Sequence, residues 1–423
     1  MIKSRSKMLS VAVVLTLLLT TLLSGCGASQ TATSGTTAVA AKTTINFIHW
    51  RPEDVPEFNK LIAQFEQENP NIKVQMTTIP SANYIANLQS MVLSGQGADV
   101  FTSFPGAQFE ALNKANAYVD LSSLAGLSNV DSSLIKMGQK EGKQLAIAYQ
   151  LVFNDPIYNK DIFDKYNLQV PKDWPGFLNV LKTLKDNGVT PISFCGPVSP
   201  NQLVNSLIMN TAPNEDIFQQ VMDGKAKLTD PWFVKALQAF KDITPYLEPG
   251  ALGVTQDGAS ALFGQGKAAI LALGSYQMAT IKKQSPDIKQ GLMVPMLVSG
   301  SEATWDGIFT STFMLGVNSK STHIDAAKKF TDFLLQPKVA EDYANATGQM
   351  VTVKGVKYST PELQAGLDFQ NTHKKLRFQP IYTIPSQPVT DAVKASIQQV
   401  IGGTDPMKAA TQAQGVVDKE RSK

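Results

Sequence analysis

The chain has 423 residues, a length that exceeds one hydrophobic core and predicts two domains. Its 43% hydrophobic and 17% charged residues are typical of a globular protein and exclude a multi-span membrane protein. The formal net charge of +3 resides in Lys3, Arg5 and Lys7, so the rest of the chain is about neutral. This balance argues against a broad surface for nucleic acid or anionic membrane.

The first residues carry a secretory signal pattern, because three basic residues precede an apolar run from Met8 to Leu23. The junction Leu23-Ser24-Gly25-Cys26 resembles the lipobox of bacterial lipoproteins. That resemblance implies cleavage before Cys26 and acylation of its thiol with chains such as palmitate. A chance cysteine after an ordinary signal peptide is the alternative.

We therefore predict a lipoprotein signal peptide at 1–25 and a flexible tether at 26–43, which is rich in Ala, Ser, Thr and Gly. Each buried methylene of the lipid contributes about 0.8 kcal/mol, so several acyl chains on Cys26 give stable anchoring. The expected location is the outer face of the bacterial cytoplasmic membrane.

Strand and helix patterns alternate after the tether. A short strand at Ile45 to Trp50 ends in His49-Trp50-Arg51, and Pro52 opens a helix with one apolar face. The next predicted elements are a strand at Ile72 to Met76, a helix from Tyr84 to Val92 ended by Gly95, and a strand beginning at Asp99 to Phe101. Strands separated by helices predict parallel pairing with right-handed crossovers.

The stretch from Gln144 to Phe163 marks a change of domain. Its first nine residues are almost continuously apolar and predict a buried strand. Asn154-Asp155-Pro156 then interrupts the pattern, since proline prevents both ladder pairing and an uninterrupted helix. A second alternation of strands and helices follows, so we predict two α/β lobes that are joined here, with a cleft between them.

The second alternation contains further predicted elements. They are a helix from Asp173 to Leu184, a strand at Val189 to Phe194, a helix capped by Asp230 and begun by Pro231, a strand at Ala268 to Leu273, a strand at Phe313 to Val317, a helix from Ile324 to Leu335, and C-terminal helices near Asp391 to Ile401 and Pro406 to Val417.

Several segments resemble the extracellular solute-binding proteins of ABC importers, in the branch that binds maltose and other oligosaccharides. They are Phe65-Glu66-Gln67-Glu68-Asn69-Pro70-Asn71-Ile72-Lys73-Val74, Ser94 to Val100, Lys143 to Phe163, and Phe263 to Ile270 followed by Gly274-Ser275-Tyr276. Their order and spacing carry the resemblance, which covers the chain from about Thr44 to its end.

The resemblance implies a two-lobe, periplasmic-binding-protein-like fold in which each lobe is a mainly parallel sheet flanked by helices. Lobe 1 is expected at 44–153 plus 309–362, and lobe 2 at 154–308 plus 363–423. The implied function is capture of a sugar outside the cell and its delivery to the transmembrane subunits of an ABC permease. A monomer is expected, with hinges in Leu151 to Pro156 and near Gly307 to Phe313.

Ligands of open parallel sheets bind beyond the carboxyl ends of the strands. That rule selects His49-Trp50-Arg51, Ser103-Phe104-Pro105, Tyr149-Gln150, Ser199-Pro200-Asn201, Gly274-Ser275-Tyr276 and Trp305-Asp306-Gly307. A sugar needs an aromatic plane for its C–H face and hydrogen-bonding groups for its hydroxyls. The stacking candidates are Trp50, Tyr276 and Trp305, the polar candidates are Arg51, Asp54, Asp99, Gln150 and Asp306, and Tyr84, Phe104 and Ser275 complete the predicted site.

Structural roles are the alternatives for these residues. Trp50 and Trp305 are also suited to core packing, and Asp99 to holding its own loop. Tyr276 stands where the family commonly has a stacking tryptophan. Gln387-Pro388-Val389-Thr390 stands where the best-known maltose-binding members have paired aromatics. Cys195 is expected to be a buried small hydrophobe.

The sequence offers little support for an enzyme. His49, His323 and His373 are scattered, and metal-binding, HExxH or GxSxG motifs are missing, so neither catalytic residues, metals nor cofactors are expected. In Gly264-Gln265-Gly266-Lys267, Ala268 replaces the hydroxyl that a phosphate loop needs. A lipid-anchored glycosidase is the rival class, and a nucleoside, polyol phosphate or polyamine the rival ligand.

Overall fold

The structure, a computed structural model, describes residues 42–209, 211–294, 297, 307–372 and 376–423. The predicted signal peptide, Cys26 and most of the tether lie outside the described residues, as do Trp305 and Asp306. Within the described part of the chain, no helix is both long enough and apolar enough to cross a membrane.

The described residues form strands and helices in alternation. The strands are β1 Thr43–His49, β2 Ile72–Thr78, β3 Val100–Ser103, β4 Gln139–Lys140, β5 Lys143–Gln144, β6 Ile147–Phe153, β7 Ile157–Asn159, β8 Thr190–Ser193, β9 Ala268–Leu271, β10 Gln290–Leu292, β11 Gly307–Val317, β12 Met350–Val351 and β13 Leu376–Phe378. The helices are α1 Val55–Glu68, α2 Ser81–Ser94, α3 Ala107–Lys114, α4 Lys160–Lys165, α5 Trp174–Asp186, α6 Ser199–Ile208, α7 Ile217–Met222, α8 Pro231–Ile243, α9 Gln256–Gly264, α10 Met278–Gln284, α11 Ile324–Leu334, α12 Pro337–Thr347, α13 Pro361–Thr372, α14 Gln387–Ile401 and α15 Pro406–Arg421.

The first sheet has the strand order β12-β6-β11-β3-β1-β2, with β13 paired to β11. β1 runs parallel to β2 and to β3, which confirms the predicted opening. β11 runs antiparallel to β3 and β6, so the sheet is mixed and the expectation of a mainly parallel sheet is wrong. The physical reason is that β6 carries the chain out of this sheet and β11 carries it back.

The second sheet has the strand order β10-β7-β9-β8 and is also mixed. β8 and β9 pair in parallel, whereas β7 is antiparallel to both of its neighbours. β6 belongs to the first sheet and β7 to the second, so the chain changes sheets between Phe153 and Ile157. The predicted crossing is therefore confirmed at this point.

Two hydrophobic cores each pack on one sheet, and a third cluster, which includes Phe153 and Ile308 of the first sheet and Ile157 and Leu271 of the second, joins them. The first core packs α1 and α11 on the first sheet through ring contacts among Phe47, Phe58, Phe65 and Phe330. The second core joins α5, α6 and α8 to the C-terminal helices α14 and α15. These helices cap the second lobe, as expected. The α/β fold class is confirmed.

Two aspartates at the starts of predicted helices have different roles, and only Asp230 was predicted to be a cap. Asp173 accepts a hydrogen bond from the Gly176 N–H at 2.8 Å and caps α5. Asp230 does not cap α8, because its carboxylate accepts the Lys227 N–H at 2.8 Å in the turn before the helix.

β11 is longer than the predicted strand at Phe313 to Val317, since it begins at Gly307. Its first half contains the polar run Thr310-Ser311-Thr312 and therefore lacks the continuous apolar run that marks a buried strand. The two halves meet at Phe313, whose φ of +58° lies in the left-handed region although its ring is fully buried. The ring packs against Phe58 and Trp50, with centroids 5.7 and 5.2 Å away.

The crossings at Asn154-Asp155 and at Ile308 are bonded to each other. The Asn154 N–H donates to the Ile308 carbonyl at 2.9 Å. The buried carboxyl of Asp155 accepts the Ile308 N–H at 2.9 Å and the Ser206 hydroxyl of α6 at 2.9 Å. Burial raises the pKa of Asp155 to about 8, although both hydrogen bonds lower it.

Candidate ligand-binding cavity

A cavity of about 820 Å³ lies at the carboxyl ends of β1 and β3. Because these strands are parallel neighbours, Trp50-Arg51 after β1 and Phe104-Pro105 after β3 reach the same edge of the sheet. Residues that pack in or against the second core, among them Ile381 and Tyr382, also line the cavity. Residues near both sheets therefore line the cavity. This is the position in which the sequence predicted a cleft.

Two stacked rings form one wall of the cavity. The Trp50 indole lies on the Phe104 ring, with centroids 4.1 Å apart and planes at 26°. The edge of Tyr84 supports the indole from behind, at 5.1 Å and 63°. Tyr276 and Tyr382 also line the cavity. Trp50 is 7% exposed and is covered by Phe104, Tyr84 and Phe313, so the partly exposed Phe104 ring is the part of this pair that can offer an apolar surface to a ligand.

Arg51 lines the cavity and is held by carboxylates. Its Nε lies 2.7 Å from Asp54 Oδ2 and its Nη2 lies 3.0 Å from Glu53 Oε1. Burial lowers the pKa of Arg51, but the carboxylates of Asp54 and Glu53 together raise this pKa by more, so the guanidinium stays charged. Asp54 itself is fully buried and accepts a second hydrogen bond from the Tyr343 hydroxyl.

Polar atoms without a protein partner are the most informative feature of the wall. Within the described part of the chain, six buried side-chain atoms of lining residues have no hydrogen-bond partner: Arg51 Nη2, which contacts Glu53 only as an ion pair, Gln108 Nε2, Asn154 Nδ2, Asn201 Oδ1, Gln202 Oε1 and the Tyr276 hydroxyl. Each unpaired buried group costs about 1–3 kcal/mol. A ligand with both donors and acceptors would satisfy them.

His49 lies beneath the cavity wall. Its Nδ1 accepts the Arg51 N–H at 3.2 Å, and its ring stacks on Phe47 at 5.2 Å. Burial lowers the pKa of His49 to about 4, and the nearby Arg51 charge adds to this while Asp54 opposes it. The imidazole is therefore neutral at physiological pH and serves as a support for the backbone of Arg51.

The structure brings Trp50, Arg51, Phe104 and Tyr276 to the cavity lining. The other described candidates make bonds within the protein instead. The Tyr84 hydroxyl donates to the Thr102 carbonyl at 2.7 Å, Gln150 Nε2 donates to the Tyr343 hydroxyl, and Ser275 Oγ accepts the Phe153 N–H at 3.0 Å.

Asp54 and Asp99 are also absent from the described lining. Asp99 precedes β3, at the amino end of the strand and away from the ligand edge, where it accepts the Asn46 N–H at 2.7 Å. It holds its loop, which was the alternative considered for it. Asp54 acts on the cavity through Arg51.

Sequence reasoning missed several lining residues. Asn154 and Cys195 follow β6 and β8, so the strand-end rule could have selected both once the strand ends were known. Tyr382, Asp257 and the α14 residue Asp391 carry no local signal, because only the tertiary fold brings them to the cavity. Cys195 is buried, as predicted, and burial raises its pKa.

Comparisons with known proteins agree with this architecture. The profile of the bacterial extracellular solute-binding protein family matches residues 51–341. The chain is 24% identical over 346 residues to the multiple sugar-binding protein of Streptococcus mutans serotype c, covering 79% of this chain and 80% of that protein.

Solved structures share the fold. A chitin oligosaccharide binding protein superimposes with a TM-score of 0.80 at 21% identity, over 90% of this chain and all (100%) of the other. RafE in complex with raffinose gives a TM-score of 0.76 at 20% identity, over 90% and 100% of the two chains. Both are two-lobe solute-binding proteins. The family profile matches more than half of the chain, and the chain therefore belongs to the bacterial extracellular solute-binding proteins.

Proposed function

We propose that this protein is the substrate-binding component of an ABC importer, which captures a sugar of oligosaccharide size outside the cell and delivers it to a membrane permease. The names of its relatives support this ligand class, since they include a multiple sugar-binding protein and a melibiose/raffinose/stachyose-binding protein of Bacillus subtilis. The cavity of about 820 Å³ lies within the range of small-molecule sites and exceeds the needs of one sugar ring.

One observation carries the proposal: unpartnered polar atoms and a stacked aromatic wall share one cavity. A pyranose presents an apolar C–H face and a rim of hydroxyls that both donate and accept. The apolar face of the sugar is suited to the wall formed by Trp50 and Phe104. Its hydroxyls are suited to the amides of Gln108 and Asn154 and to the Tyr276 hydroxyl. Arg51, fixed by Asp54, adds a charged donor.

Trp305 and Asp306 complete the proposed site from a segment outside the described residues. Closure is proposed to occur about Leu151 to Pro156 and the start of β11, because a ligand that contacts both walls selects the closed form. The closed form then docks on the permease. Bond making is left to the partner, whose ATP hydrolysis drives transport.

The lipid anchor on Cys26 is part of the proposal. Signal cleavage and acylation at Cys26 would hold the body at the outer face of the membrane, and the family's extracellular character supports this location. Growth of expressing bacteria with radiolabelled palmitate tests the anchor. Label is expected in the full chain and is expected to be lost in Cys26→Ser.

The binding function is tested with the compact unit Lys42–Lys423. Isothermal titration against raffinose, stachyose, maltotriose and chitotriose is expected to give at least one micromolar ligand, about −8 kcal/mol. Chromatography of the bound sugar is expected to recover it intact. Hydrolysis would favour the glycosidase class, and absence of binding by any carbohydrate at millimolar concentration would refute the proposal.

A further inference from the structure

The mouth of the cavity is acidic. Three of its lining residues are the exposed carboxylates Glu53, Asp257 and Asp391. Asp391 belongs to a polar face of α14 on which Gln387, Thr390 and Lys394 also line the cavity, at helical spacings of three and four residues. The other face of α14 is buried in the second core, so the polar face is fixed toward the cavity.

The two cations of the described lining are both paired within the protein. Arg51 is ion-paired with Asp54 and Glu53 at 2.7 and 3.0 Å, although its Nη2 makes no hydrogen bond, and Lys394 Nζ lies 3.6 Å from Asp391. Asp257 has no ion-pair partner among the residues described here. With the buried Asp54 included, the charged groups at the cavity therefore carry a net negative charge.

The inner wall offers neutral groups to a ligand. Gln108 and Asn154 are 5% and 2% exposed, and each has an amide nitrogen without a partner in the described part of the chain. Both line the cavity. These buried amides show that the wall is prepared for polar contacts, and they supply them without a compensating positive charge.

We propose that the cavity selects uncharged oligosaccharides and rejects sugars that carry a carboxylate, sulfate or phosphate group; this rests on the function proposed above. An anionic group would lose its hydration, and the cations that it meets, Arg51 and Lys394, are already neutralised by neighbouring carboxylates. It would also approach the carboxylates of Glu53, Asp257 and Asp391 at the mouth. Repulsion of charged ligands leaves the affinity for a neutral ligand unchanged.

The test uses three forms of whichever panel sugar binds most tightly to Lys42–Lys423. They are the parent sugar, the sugar with one primary alcohol oxidised to a carboxylate, and the corresponding primary amide, which matches the carboxylate in size. Titration in 20 mM salt is expected to show the carboxylate binding roughly tenfold more weakly than the amide. In 500 mM salt this difference is expected to shrink to about threefold or less.

Charge neutralisation at the mouth provides the second measurement. The double variant Asp257→Asn, Asp391→Asn is expected to narrow the carboxylate-to-amide difference at low salt, because it removes two carboxylates and frees Lys394. Asp368→Asn, an exposed position of α13 outside the described lining, is the matched control and is expected to keep the full difference.

Two results would overturn the inference while leaving sugar binding intact. One is a carboxylate probe that binds as tightly as the amide. The other is a difference that neither salt nor the double variant changes, since that would arise from shape. If no carbohydrate of the panel binds, the proposed function falls and this inference falls with it.

Discussion

Tyr276 and Tyr84 provide a pair of substitutions with opposite expected effects. Both hydroxyls are buried, but the Tyr84 hydroxyl donates to the Thr102 carbonyl at 2.7 Å, whereas the Tyr276 hydroxyl has no partner among the described residues. Phenylalanine keeps either ring and removes only the hydroxyl. The two variants therefore separate a group that stabilises the fold from a group that is available to a ligand.

The magnitudes follow from hydrogen-bond energetics. Tyr276→Phe removes a buried hydroxyl that makes no hydrogen bond in the free protein. The free energy of unfolding is therefore expected to change by less than about 0.5 kcal/mol or to rise. The same change deletes one hydrogen bond to the sugar, worth about 0.5–1.5 kcal/mol, so Kd is expected to rise roughly 2- to 13-fold. Tyr84→Phe is expected to lower the free energy of unfolding by about 1–2 kcal/mol, since it leaves the Thr102 carbonyl short of a donor.

Urea denaturation of the free proteins and titration with the tightest panel sugar measure both quantities. Tyr84→Phe serves as the control, because its hydroxyl does not reach the described lining and its Kd is expected to stay within about threefold. The reasoning is refuted if Tyr276→Phe destabilises the free protein by more than about 1 kcal/mol and leaves Kd unchanged.

Three further predictions use the same protein. Trp50→Ala is expected to weaken sugar binding by roughly 1–2 kcal/mol, or 5- to 30-fold, through lost stacking, whereas Trp174→Ala, outside the described lining, should leave Kd unchanged in the same titration. The raised pKa of Asp155, about 8 against 3.8 unfolded, gives stability that is full below pH 3.8 and is lost as the pH rises to 8. His49 acts with the opposite sign, losing stability as the pH falls from 6.5 to about 4. The test compares the free energy of unfolding at pH 5 and at pH 7. From pH 5 to pH 7 this free energy is expected to fall by roughly 2–3 kcal/mol more in the wild type than in Asp155→Asn. Equal changes in the two proteins would contradict the prediction. Cys195 is the sole cysteine of Lys42–Lys423 and is fully buried, so it reacts with a maleimide only when the protein opens; bound sugar is expected to slow this reaction, and an unaltered rate would contradict the prediction.

Much of the fold could be predicted because its signals are local. The apolar spacing of α1 and the alternation of β2 each lie within one element, and the glycine after α2 adopts the left-handed conformation expected at a helix end. The mixed sheets were missed because strand direction depends on where the chain re-enters a sheet. The first half of β11 was missed because its threonines and serine gave no apolar run.

The site was predictable to the extent that strand ends were placed correctly. Trp50 and Phe104 follow parallel neighbours and reach the cavity. Gln150 was selected as a strand end, but β6 continues to Phe153, so Asn154 occupies that position instead. Tyr382 comes from a distant part of the chain, and its inclusion required the tertiary structure.

The bonded crossings have a mechanical consequence. Asn154 and Asp155 hold the chain leaving the first sheet against Ile308 on the chain returning to it, and β13 pairs with the same part of β11, so the connection is a short ribbon of three bonded segments. A ribbon bends readily across its flat side and resists bending along its width. We expect any opening of the two halves to be a rotation about a single axis, with little freedom to twist.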